Sequence, residues 1–141
     1  MNILGVNYGG HDTSAALIKN RKLICAFEEE RFNKEKHTKK FPINSIKACL
    51  KSSNLKIEDI DYIALSTDPK RQIRNFWLKG ALKNDQGLKK LVDEYRYIKR
   101  WYNLEDFVRK KLKYKGIFKY YKQHLNHLSS CYYPSNFKNS L

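Results

Sequence analysis

What this chain of 141 residues lacks narrows its class. Its three cysteines, Cys25, Cys49 and Cys131, are odd in number and show no CxxC spacing, which indicates neither a disulfide framework nor a zinc ribbon and fits a reducing cytoplasm. No run approaches the roughly 18 apolar residues of a membrane span. Met1 leads straight into Ile3-Leu4-Gly5-Val6 without the basic segment of a signal peptide. A soluble cytoplasmic domain with no membrane partner is the expectation. The chain is also short of acid: 14 Asp and Glu stand against 29 Lys and Arg, for a formal charge of +15. Residues 1–68 carry 11 basic and 9 acidic groups, whereas 69–141 carry 18 and 5. An anionic partner would therefore dock on the second half; the plainer reading is a solvated surface in a Lys-, Asn-, Tyr- and Ile-rich composition.

Taken in order, Asn2 to Tyr8 is a short apolar run closed by Gly9-Gly10, a buried strand entering a tight turn. Thr13 to Ile18 reads as its return. Lys19-Asn20-Arg21 makes a polar turn, and Lys22 to Glu28 forms a third strand through Leu23, Ile24, Cys25, Ala26 and Phe27. The fold class predicted is α/β, beginning with a three-stranded antiparallel meander.

The loop between the first two strands invites a chemical reading. Gly9 and Gly10 let the backbone approach a ligand, successive N–H groups there can cradle a phosphate or carboxylate, and Thr13 and Ser14 add hydroxyls. His11 and Asp12 bring a titratable pair of the kind general acid–base chemistry uses. The alternative is a plain hairpin turn with an Asx-type Asp12. Glu28-Glu29-Glu30-Arg31-Phe32, followed by Lys34, Lys36, His37, Lys39 and Lys40, is poor strand or core material and reads as a loop, either functional or a solvated charge run. Pro42 then starts a helix with Ile43, Ile46, Cys49 and Leu50 on one face. A strand at Tyr62 to Ser66 follows.

Beyond Pro69 three sets of apolar residues recur at helical spacing: Ile73, Phe76, Trp77 and Leu78; Leu88, Leu91, Val92, Tyr95 and Ile98; and Leu104, Phe107, Val108 and Leu112. They predict two or three basic amphipathic helices, the last capped by Asn103. Trp77, Tyr95, Tyr97, Trp101, Tyr102 and Tyr114, interleaved with Lys and Arg, keep a nucleic-acid-binding or structural protein as the second reading. No helix-turn-helix, zinc-finger or RNP spacing accompanies them. Gly116 to Tyr121 reads as a strand delivering Gln123-His124-Leu125-Asn126-His127, whose histidines, three apart, share a face if helical and can serve one metal. Ser129, Ser130 and Cys131 suit close helix packing.

In order and spacing, several of these blocks resemble the opening of the O-carbamoyltransferases of the NodU and CmcH type. They are Ile3 to Ala16 with Gly9-Gly10-His11-Asp12-Thr13-Ser14, Glu28-Glu29-Glu30-Arg31-Phe32, Lys36-His37, Phe41-Pro42, and His124 to Phe137 with its Tyr-Pro-Ser. The resemblance implies part of an actin/sugar-kinase-type, ribonuclease H-like domain, divided as 1–66 (sheet and first helix), 67–115 (basic helical insertion) and 116–141 (strand and histidine motif). It implies carbamoyl transfer to a small-molecule hydroxyl acceptor from a carbamoyl adenylate made from carbamoyl phosphate and ATP. His11 and Asp12 would be catalytic; Gly9, Gly10, Ser14, Arg31, Lys36 and His37 would bind substrate; His124 and His127 would hold iron (Fe2+).

Two features depart from that family. Its metal pair is the first and last histidine of His-His-x-x-His, and Gln123 stands in the first place here, leaving His124 and His127; an amide is a poor iron ligand beside imidazole. Family members are also several hundred residues long. The chain is thus expected to be the N-terminal portion of such an enzyme, inactive alone: either a truncated product or half of a split enzyme with a separately encoded C-terminal part.

Overall fold

The computed structural model describes residues 1–8, 12–68, 95, 99 and 102–135. Period-two burial organises its sheet. In β1 (Asn2–Asn7) Leu4 and Val6 are buried, in β2 (Ser14–Lys19) Ala15 and Leu17, and in β4 (Tyr62–Leu65) Ile63 and Leu65. Alternate residues of each strand therefore face one apolar layer. β3 (Lys22–Glu28) and β5 (Ile117–Tyr120) are the edges of a five-stranded sheet ordered β3-β2-β1-β4-β5. β1, β2 and β3 pair antiparallel, while β4 runs parallel to β1 and β5 parallel to β4. The meander and the later strands are as the sequence predicts. The mixed α/β arrangement is consistent with the partial ribonuclease H-like domain expected.

Local chemistry sets the register. Asn20 and Arg21 at the β2–β3 turn both have positive φ, 50° and 66°, the requirement of a two-residue turn matched to strand twist. The Asn2 backbone N–H donates to Asp61 Oδ2 at 2.6 Å and its side-chain amide to the Asp59 carbonyl at 2.8 Å. These bonds align the starts of β1 and β4, between which some fifty residues of chain intervene.

One sheet face carries the core. α2 (Ile43–Ser52) packs on β2 and β3 through Ile46 and Cys49, and α3 (Leu104–Leu112) contributes Leu104 and Val108 to the same cluster. Each such aliphatic side chain contributes about 1.5–3 kcal/mol by leaving water. Tyr8, Phe41 and Phe107 close the layer, with Phe41 edge-on to both other rings at centroid distances of 5.3 Å. Asn103 occupies the N-cap position of α3 but makes no side-chain cap bond.

The stretch from Glu28 to Lys40, read from sequence as a loop unfit for a core, differs in two respects. Glu30–Asn33 forms one helical turn, α1, and Glu29 is only 2% exposed. The cause lies at the start of α2, where Pro42 offers no side-chain cap. Glu29 Oε1 accepts from the Asn44 N–H (3.3 Å) and side-chain amide (2.7 Å), and Oε2 from the Ser45 N–H and hydroxyl (both 2.9 Å). A distant carboxylate thus satisfies the helix's orphan N–H groups and meets the positive end of its dipole. The predicted helices between residues 69 and 101 lie outside the described residues, apart from Tyr95 and Lys99, which are helical, as is Tyr102.

Candidate functional site

The sheet face opposite the core is graded in chemistry. Pairing aligns Ile18, Ile3, Tyr62 and Ile117 in one row and Ala26, Ala16, Gly5, Ala64 and Lys119 in the next; Ser14 and Asn7 pair beyond them. The second row is nearly without side chains. It floors a groove of about 420 Å³ lined also by Asn7, Ser14 and Ser66, and by Tyr121, Asn126 and Ser130 from the far side. The groove opens at the carboxyl ends of the parallel strands β1 and β4, the usual ligand position in α/β sheets.

A chain of hydrogen bonds rims this end. The Asn126 amide donates to the Ser66 carbonyl (2.8 Å), the Ser66 hydroxyl to Asn7 Oδ1 (2.7 Å), and the Asn7 amide to the Asp12 carbonyl (2.9 Å). It links the helix α4 (Gln123–Tyr132), β4, β1 and the loop before β2. The small residues of α4 do not serve close packing as predicted, because Ser130 and Cys131 are exposed and Ser130 borders the groove.

Beside the rim, three segments converge. His37 Nδ1 lies 2.8 Å from Asp12 Oδ1, and the His37 backbone N–H donates to Glu30 Oε2 at 3.1 Å. Ligand atoms of Asp12, Glu30 and His37 all lie within 4.8 Å of one another. Asp12 and His37 both have left-handed backbones, φ 59° and 55°, conformations that non-glycine residues hold only where surrounding bonds impose them.

The structure therefore brings together two of the residues singled out from sequence, Asp12 and His37, and sets Ser14 in the groove. Gly9, Gly10 and His11 lie outside the described residues. Arg31 is on the surface, pairing with Glu28 at 3.2 Å and Glu30 at 3.7 Å, and Lys36 is exposed. His124 and His127 are exposed on α4, one helical step apart; among the described residues no third His, Cys, Asp or Glu forms a ligand group with them. Sequence reasoning passed over Glu30, Asn7, Ser66 and Asn126 as site residues. For Glu30 the signal was its position in the acidic run, seven residues before His37; the amides carry none.

Exposed lysines cluster in sequence around the edge strand β5: Lys110 and Lys111 at the end of α3, Lys113 and Lys115 in the link, Lys119 within β5 and Lys122 after it. Charge on an edge strand opposes pairing with another chain. Among the described residues no helix is long and apolar enough to cross a membrane.

A mixed five-stranded sheet with helices on its apolar face and a groove at the carboxyl ends of its parallel strands defines the chain as an α/β domain. The chain belongs to the carbamoyltransferase N-terminus family, which matches residues 2–141. Over 67 residues it is 37% identical to protein sll1178 of Synechocystis sp., described as uncharacterized; the stretch covers 48% of this chain and 11% of that protein. Over 54 residues it is 44% identical to the nodulation protein NolNO of Sinorhizobium fredii, covering 38% of this chain and 8% of that one. A 19.2 kDa protein from the syrM 5' region of Rhizobium etli is 43% identical over 54 residues, 38% of this chain and 32% of the relative. The matched stretches thus span about a third or less of each relative's length.

Proposed function

We propose that this chain is the acceptor-side portion of an O-carbamoyltransferase of the NodU and CmcH type. The observation that carries the reading is the family match across residues 2–141, and the groove at the strand ends, with its hydrogen-bonded rim of Asn7, Ser66 and Asn126, supports it. In this reading carbamoyl phosphate and ATP are converted elsewhere in the enzyme to carbamoyl adenylate, whose carbamoyl group passes to a hydroxyl of a small-molecule acceptor. His11 takes the hydroxyl proton, Asp12 supports it, and Gly9, Gly10, Ser14, Arg31, Lys36 and His37 hold the reactants.

His124 and His127 suit iron by donor type and spacing. They supply two ligands only, so a further donor must come from outside the described residues. Bound there, iron would act as a Lewis acid on an oxygen of the reactants. Because the matched stretches cover only 11% and 8% of two of the relatives, activity is assigned to this chain together with a C-terminal part.

The test follows labelled carbamoyl phosphate, with ATP and a panel of sugar and polyol acceptors, into carbamate ester, with and without a supplied C-terminal part of a family member. Ester formed only with that part, and lost in His11→Ala, is the expected result. No ester with the part present, or undiminished transfer by His11→Ala, would refute the assignment; turnover by the chain alone would refute the need for a second part. Salt-sensitive binding of nucleic acid through the lysines at β5, with no transfer, would favour the second reading.

A further inference from the structure

We propose that Asp12, Glu30 and His37 form a divalent transition-metal site, on different elements from the histidine pair of α4; it shares Asp12 and His37 with the carbamoyl-transfer reading but does not rest on it. The three donors come from the β1–β2 loop, α1 and the α1–α2 loop, and their ligand atoms already lie within 4.8 Å of one another. Adjacent ligands around an ion with bonds of about 2.0–2.2 Å sit roughly 3 Å apart. The Asp12 Oδ1 to His37 Nδ1 separation of 2.8 Å fits either a shared proton or a shared cation, and a Glu30 carboxylate oxygen lies within 4.8 Å of both.

The surrounding structure holds the donors in place. The Asn7 amide fixes the Asp12 carbonyl, and Glu30 itself receives the His37 backbone N–H. Next to them the Asn33 amide donates to Thr38 Oγ1 at 3.1 Å and the Thr13 N–H to the Thr38 carbonyl at 3.5 Å. Two left-handed residues, Asp12 and His37, are kept in conformations that orient their side chains toward one another.

Charge and donor type select the ligand. Two carboxylates converge on one imidazole in a chain with only 14 acidic residues. One imidazolium would balance one of them, and the exposed Arg31 guanidinium lies 3.7 Å from Glu30 Oε1, a solvent-screened contact, whereas a dication held between the donors meets both carboxylates directly. One nitrogen and two carboxylate donors, with no thiolate, suit Mn2+, Fe2+ or Zn2+ over Cu+. The side chains of His37 and Asp12 are 67% and 39% exposed, leaving coordination positions open to water or an oxyanion.

The metal-free chain is titrated with Mn2+ and Zn2+ by calorimetry, and Mn2+ broadening of imidazole proton resonances is followed by NMR. One saturable site that broadens His37 is expected, at least about tenfold weaker in Asp12→Asn and in His37→Ala. A His124→Ala/His127→Ala double variant should retain it within about twofold, as expected for independent sites. Amide spectra confirm folding of each variant, and Glu30→Gln replaces any that unfolds. No saturable binding up to about 1 mM, or binding that survives Asp12→Asn and Glu30→Gln but is lost with the α4 histidines, would overturn the proposal.

Discussion

Glu29 shows how much one side chain can organise. Its carboxylate is buried and accepts four hydrogen bonds from Asn44 and Ser45, while its own N–H donates to the Thr13 carbonyl at 2.9 Å. It therefore ties the end of β3, the entry to β2 and the start of α2. Hydrogen bonds to a charged group are worth about 1.5–3 kcal/mol each in favourable cases, and removing one partner leaves the others buried and unsatisfied. Glu29→Gln keeps the shape but replaces a carboxylate oxygen with an amide that faces donors. A loss of about 2–4 kcal/mol in urea unfolding is expected, with the Asn44 and Ser45 amides losing hydrogen-exchange protection. A change under about 0.5 kcal/mol, the range of ordinary surface substitutions, would show that the four bonds contribute nothing net.

Among the elements, the seam between α2 and the sheet was partly legible. The spacing of Ile43, Ile46, Cys49 and Leu50 places the helix face of that seam from sequence, because burial imposes a local period, whereas Ala15-Ala16-Leu17-Ile18 is a continuous apolar run and only the fold picks out Ala15 and Leu17 as its buried set. The Glu29 bonds are not legible in this way: they join residues fifteen and sixteen apart, and no spacing rule announces a remote cap. The cluster of Asp12, Glu30 and His37 was legible by residue and not by grouping, since only the folded loops bring 12 beside 37. The seam also carries a pH dependence. Burial, followed by the neighbouring Cys25 thiol, pushes the Cys49 thiol from 9.0 up to about 12. Burial likewise raises the phenols of Tyr114, under β5, and Tyr120, the latter also because it donates to Glu105. A group with a raised folded pKa binds its proton more tightly when folded, so its contribution is complete below the unfolded value and lost as pH rises through the folded one. The urea midpoint is thus expected to fall from about pH 9 toward pH 12 in about 0.5 M salt, which screens the titrating lysines. Cys49→Ala should lower stability at pH 7 and flatten the slope above pH 9. A wild-type midpoint constant to pH 11 would show that these groups are not desolvated as described.

For the whole molecule the dominant electrostatic fact is the +15 charge. Among the described residues the Lys and Arg ion pairs that offset it, Arg31 with Glu28 and Glu30, Lys40 with Glu35 and Arg109 with Glu105, are at partly or fully exposed positions, where a pair contributes about 0–1 kcal/mol. Self-repulsion among 29 cationic side chains acts over the whole compact state and is relieved when the chain expands. The two effects respond to salt in opposite directions: screening weakens the pairs and destabilises, but it also weakens the repulsion and stabilises. With cations outnumbering acids two to one, repulsion is the larger. The lysines around β5 should feel it most, since Lys110, Lys111, Lys113, Lys115, Lys119 and Lys122 fall within thirteen consecutive residues. Raising sodium chloride from about 0.05 to 0.5 M, which shortens the screening length from roughly 14 to 4 Å, is therefore expected to raise the urea midpoint at pH 7. Replacing Lys111, Lys113 and Lys115 with Gln should give part of that gain at low salt and reduce the salt response. A midpoint that falls with salt would mean that the ion pairs outweigh the repulsion, and a triple variant with an unchanged salt response would place the repulsion elsewhere than at the β5 edge.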